Sequence, residues 1–91
     1  MSWYSIVVTP DEQTNGVSDD LFATFSSLQN AASLNSGEGM WLKRETQTGN
    51  VTYFLSPQAY EISRLSMLKF RPQPCETPNV KNLVPSVVRH A

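Results

Sequence analysis

The sequence predicts an α+β fold: an antiparallel sheet of three or four strands with two helices on one face. Three observations predict it. Trp3 to Thr9 is aromatic and β-branched; 19–34 and 57–71 carry apolar residues at helical spacing; and 40–55 splits into two strand-like runs around a turn. At 91 residues and 40% hydrophobic, the chain is too apolar for disorder and too short for two cores. Residues 1–91 therefore read as a single small domain, with 72–91 a proline-containing C-terminal tail or edge strand.

The first strand, Trp3 to Thr9, ends at Pro10. Its near-continuous apolar character suits burial on both faces, hence a central position. Pro10 to Gly16 reads as a polar, turn-rich loop. A helix is expected from Asp19 to Leu34. Ser18 is its capping residue, Asp19 and Asp20 suit the positive end of the dipole, and Val17 with Phe22 fits a hydrophobic staple. Leu21, Phe25, Leu28 and Ala32 form its apolar stripe, and Asn35-Ser36-Gly37 ends it, with Gly37 available for a left-handed cap.

Met40 to Glu45 and Val51 to Leu55 are the hairpin strands, joined through Gln47-Thr48-Gly49-Asn50. A three-residue loop puts Trp41 on one face with Val51, Tyr53 and Leu55; a loop of two or four residues puts it with Phe54 instead. In every register both faces carry an aromatic. Ser56-Pro57 starts the second helix, a capping serine followed by proline at the first helical position. Ala59, Ile62 and Leu65 are its expected inner stripe, with Tyr60 and Leu68 beside it. Lys69 and Arg71 suit its negative end, and Pro72 stops it. Gln73 to Asn79 reads as loop. Leu83 to Val88 is β-branched, but Pro85 restricts it to an edge strand or an extended tail.

The order strand-helix-strand-strand-helix, with a possible last strand, resembles the ferredoxin-like element order. The resemblance is one of element order and implies right-handed crossovers, which lay both helices on one face of the sheet. The other face is then left open. Trp3, Trp41 and Tyr53 are the candidate binding residues on that face.

Seven Lys and Arg against eight Asp and Glu give a net charge of −1. That balance argues against nucleic acid, which calls for a basic face, and against a polybasic membrane patch. The single cysteine, Cys75, forms no disulfide within the chain and suits a reducing compartment. MSWYSIVVTP lacks the basic start of a signal peptide, and no apolar run reaches membrane-spanning length, so a cytoplasmic location is expected.

No catalytic residue, metal site or cofactor is expected. The one histidine, His90, is next to the chain end, and nothing has the spacing of a zinc site or a nucleophile–base pair. Asp11, Glu12, Asp19 and Asp20 cluster as hard-cation ligands do, but helix polarity and a solvated turn account for them. Lys43, Arg44, Lys69 and Arg71 are expected to share one edge with Asp11 and Glu12, as an anion site or as ion pairs. Cys75, beside Glu76, is expected to be a quiet, partly buried thiol.

These readings lead to a small non-enzymatic interaction module that binds a protein partner, or itself as a homodimer, through its aromatic open face. One alternative is RNA or single-stranded nucleic acid stacked on the sheet aromatics. Another is a small anion at the Lys43, Arg44, Lys69 and Arg71 edge. No small-molecule ligand is assigned.

Overall fold

A computed structural model describes residues 2–32 and 39–85, without the side chains of 28–32. Its strands are β1 (Trp3–Val8), β2 (Met40–Arg44), β3 (Val51–Leu55), β4 (Gln73–Cys75) and β5 (Val84–Pro85). The helices are α1 (Pro10–Thr14), α2 (Val17–Ala32) and α3 (Pro57–Met67), and single 3₁₀ turns span Leu68–Phe70 and Val80–Asn82. The fold is α+β. One five-stranded sheet has the order β4-β1-β3-β2-β5, and each neighbouring pair is antiparallel.

Two hydrogen bonds set the hairpin register. Ser56 N–H donates to Gly39 C=O and Glu45 N–H to Asn50 C=O, both at 2.8 Å. The loop is therefore the four residues Thr46 to Gly49, with Gly49 at φ 75° and its N–H on Glu45 C=O. Glycine takes this left-handed conformation without the Cβ clash that other residues meet. Trp41 lies opposite Phe54, and Leu42 opposite Tyr53.

The register divides the sheet residues cleanly. One face carries Tyr4, Ile6, Val8, Met40, Leu42, Val51, Tyr53 and Leu55. Its buried members form a single core with Leu21 and Phe25 of α2 and Ala59 and Met67 of α3. Tyr4 stacks on Tyr60 with ring centroids 3.6 Å apart. The other face carries Trp3, Ser5, Val7, Trp41, Lys43, Thr52, Phe54, Gln73 and Cys75, and none of them is buried.

Antiparallel ladders alternate hydrogen-bonded and non-hydrogen-bonded pairs. From the Glu45–Asn50 and Gly39–Ser56 bonds, the amides of Val51, Tyr53 and Leu55 turn to β1. Tyr4, Ile6 and Val8 then answer β3, while Trp3, Ser5 and Val7 turn to β4. Pro74 stands opposite Tyr4, so its nitrogen faces out of the sheet and no ladder bond is lost. The same holds at the far edge, where Pro85 stands opposite Trp41. Both edge strands thus place a proline on the outer side, which blunts strand addition there.

Several expectations are corrected. Pro10–Thr14 is a helix, because Thr9 and Glu12 make a reciprocal capping box. Gln13 of that helix donates to Gly49 C=O at 2.9 Å and Val8 C=O at 3.1 Å, tying the helix to the hairpin tip. α2 starts at Val17, so Ser18 lies in its first turn; the Ser18 hydroxyl has no hydrogen-bond partner among the described residues. Phe22 is exposed, and because the helix begins at Val17 the two residues do not occupy the staple positions before the cap and at the fourth helical residue. The Leu28 and Ala32 side chains, Leu34 and the Gly37 cap lie outside the described residues.

Ser56 does cap α3, accepting from Ala59 N–H at 3.1 Å. The inner stripe of that helix is Ala59, Ser63 and Met67, not Ala59, Ile62 and Leu65. Ala59 and Ser63 are small enough to bring the helix close, and the Ser63 hydroxyl is satisfied by Ala59 C=O. The helix tightens to a 3₁₀ turn at Leu68, and Arg71 ends it at φ 58°. Gln73 to Cys75, expected as loop, is a strand because Gln73 and Cys75 present their amides to the edge of β1. The three- or four-stranded sheet thereby becomes five-stranded.

Phe25 is fully buried and sits mid-core. Phe25→Ala should lower unfolding free energy by about 3–5 kcal/mol, read as a shifted urea midpoint at unchanged slope.

Candidate functional site

The aromatic side of the sheet is the first candidate. Gln73, Ser5, Phe54, Trp41 and Pro85 form one row across all five strands. Trp3 reaches over from β1 to Trp41 on β2, with ring centroids 5.4 Å apart and planes tilted by 42°. This contact stiffens both indoles and leaves each partly exposed. Val7, the next residue on this face of β1, is 51% exposed.

Of the three residues expected here, Trp3 and Trp41 are on this face and Tyr53 is not. Tyr53 is 6% exposed and belongs to the core opposite Ile6, because the four-residue loop turns Phe54 outward in its place. The sequence left two registers open, and the aromatic on each side of the sheet follows from which one forms.

Lys43 follows Trp41 on the same face, and its ammonium meets Glu45 at 3.4 Å. Both side chains are well exposed, so the pair contributes little stability, but it cancels the one cation of the sheet residues on this face.

Cys75 lies on this face opposite Trp3, at the edge of the sheet. Burial pushes its thiol pKa up, and a Ser5 hydrogen bond opposes the shift in part. The thiolate is the reactive form, so Cys75 should label at neutral pH no faster than a model peptide thiol, as a timed maleimide reaction would read.

The second candidate is a cleft of about 540 Å³ along the edge of β1 beyond β4, lined by residues of both faces of that strand. Ile6, Val7, Val8, Val17 and Phe70 contribute its apolar lining, and Glu12, Asp20, Lys69 and Arg71 its charges. The basic edge expected from the sequence is divided. Lys43 and Arg44 alternate across β2, Arg44 lines a separate hollow with Gln13 and Asp19, and only Lys69 and Arg71 reach the cleft. Adjacent strand residues face opposite sides, so no sheet can turn Lys43 and Arg44 to one anion.

Of the two cations in the cleft, Lys69 is in an ion pair and Arg71 is in none among the described residues. Lys69 meets Asp20 at 3.0 Å. Glu12 accepts from the Thr9 amide at 2.9 Å and the Thr9 hydroxyl at 3.1 Å, and Arg71 adds an attractive field. The Thr9 amide is the largest cause of a Glu12 pKa below the ordinary carboxylate range, followed by the hydroxyl. Among the described residues no three His, Cys, Asp or Glu side chains converge as a metal set, and no helix is long and apolar enough to cross a membrane.

A depressed carboxylate pKa stabilises the fold above the unfolded value and ceases to do so as pH falls through the folded value. Glu12→Gln keeps an acceptor and removes the titration. Its unfolding midpoint should fall less steeply than wild type on acidification through the carboxylate range, as urea titrations at neutral and acid pH would measure.

The chain matches no protein family, no curated protein and no solved structure.

Proposed function

We propose that the chain is a small non-enzymatic interaction module that binds a protein partner through the aromatic face of its sheet. In this reading the domain is a ferredoxin-like arrangement with an added edge strand, and α2 and α3 lie together on the side away from the partner. The observation that carries it is the row Ser5–Phe54–Trp41 with Trp3 above, a contiguous aromatic surface of which no residue is buried. Exposed apolar patches of this kind mark interaction surfaces.

The edges support the same reading. Pro74 and Pro85 direct their nitrogens outward, so a partner finds poor strand-pairing sites there and a better contact on the face. In the second cleft Lys69 is paired with Asp20 and Arg71 lies in the field of Glu12, which weakens the drive for anion capture. Stacking of RNA on the same aromatics is the weaker alternative, because Lys43 is neutralised by Glu45 and a sheet reader draws its affinity from phosphate contacts. A reducing cytoplasm suits the lone thiol.

Phe54→Lys and Trp41→Lys test the proposal, with circular dichroism confirming the fold. Both should abolish partner capture from cell extract, cross-linked at the face, and should reduce binding of an apolar dye. Unchanged capture and dye binding in both variants would sink it. Binding of a uridine oligonucleotide that weakens steeply with salt would favour the nucleic-acid alternative.

A further inference from the structure

Two surfaces lie outside the aromatic row: the exposed stripe of Ile62 and Leu65 on α3, and the cleft at the edge of β1. The cleft has unpaired backbone groups and a charge, and these define what would complete it. β4 covers β1 only from Trp3 to Ser5. Val7 turns its N–H and C=O to the same edge, and neither has a hydrogen-bond partner among the described residues. A longer β4 would answer Val7 with residue 71. Arg71 instead stands at φ 58° and gives its N–H to Leu68 C=O.

The free edge is one residue long. On one side of Val7, Ser5 is taken by Gln73. On the other, Thr9 gives its N–H to the Glu12 carboxylate, and its C=O accepts from Gln13 N–H, both at 2.9 Å. A strand running through would meet Gln73 and would find no free group at Thr9. Only the end of a chain fits, and Arg71 decides which end. Arg71 lines the same cleft and has no ion pair among the described residues. It repels an N-terminal ammonium and attracts a C-terminal carboxylate.

We infer that the cleft captures the C-terminal carboxylate of an extended peptide, which enters antiparallel to β1 from the Thr9 side and stops opposite Val7. The last residue's N–H donates to Val7 C=O. Its carboxylate accepts from Val7 N–H and from the Arg71 guanidinium, the second a charge-assisted bond. Backbone pairing at a strand edge supplies affinity, and alternate side chains supply specificity. Alternation turns the last side chain to the side of Val7, which is 51% exposed, and the one before it to the side of Val17 and Phe70. Both are therefore apolar. Glu12, Asp20, Lys69 and Arg71 leave the cleft neutral as a whole, so a free anion is held weakly and the backbone bonds are required. The site rests on Val7 and Arg71 rather than on Trp41 and Phe54, so its failure leaves the sheet-face proposal standing.

The left-handed backbone of Arg71 is one that glycine adopts more readily, so Arg71→Gly separates capture from folding. The probe is a pool of fluorescein-labelled five-residue peptides with free carboxylates, the last two residues drawn from valine, leucine, isoleucine and phenylalanine. Fluorescence anisotropy should show members of the pool binding the wild type below millimolar protein. The same peptides as C-terminal amides should bind about tenfold more weakly or worse. Arg71→Gly should weaken binding by a similar factor while its urea midpoint does not fall. Bound peptide should slow hydrogen exchange at the Val7 amide, and excess acetate should not displace it. No binding by any member of the pool up to millimolar protein overturns the inference. Equal affinity for acid and amide, displacement by acetate, an Arg71→Gly variant that binds as the wild type does, or an unprotected Val7 amide in the complex overturns it as well.

Discussion

The four-residue hairpin loop is the constraint on which the rest of this structure depends. It sets the register of β2 on β3, and β3 lies at the centre of the sheet order. One residue more or less would flip one strand of the hairpin against the other and put Trp41 on the face of Tyr53 instead of Phe54. The loop is held from outside as well as by its own turn. Gln13 donates to Gly49 C=O, and a Cβ on Gly49 would stand 3.0 Å from the Pro10 ring. The short first helix is therefore a clamp on the hairpin tip, and the capping box of Thr9 and Glu12 holds the clamp in place.

The same register explains how two prolines enter a sheet. A proline is tolerated wherever the ladder asks for no donor, and alternation provides such a position at every second residue of an edge strand. Pro74 and Pro85 both occupy one. Their outward nitrogens blunt strand addition at β4 and β5. In a domain of this size one sheet face and the inner sides of the helices are enough to make the core, and the surplus aromatic residues are left on the other face.

Two apolar surfaces thus stand apart on one small molecule. The aromatic one is broad, partly self-packed through Trp3 and Trp41, and nearly uncharged. The helical one is narrow, more exposed, and bordered by an acid and a base.

The sequence by itself determined the element types of β1, the hairpin and α3, the capping of α3 by Ser56, and the presence of an aromatic on both sides of the sheet. Those features are local: a cap, a turn glycine and a β-branched run act over a few residues. Burial of Leu21 and Phe25 was also legible, because a long amphipathic helix has one apolar side. Tertiary structure alone decided which aromatic faces inward, since Tyr53 and Phe54 are adjacent and equally apolar in pattern. It decided that α3 turns Ala59 and Ser63 to the core rather than Ile62 and Leu65, because close approach of helix and sheet favoured small side chains over large ones. It recruited Gln73 to Cys75 as a strand, an event set by the free amides of β1 some seventy residues earlier and not by local propensity. It also separated Lys43 from Arg44 and both from Lys69, because a pleated strand alternates its side chains whatever their charge.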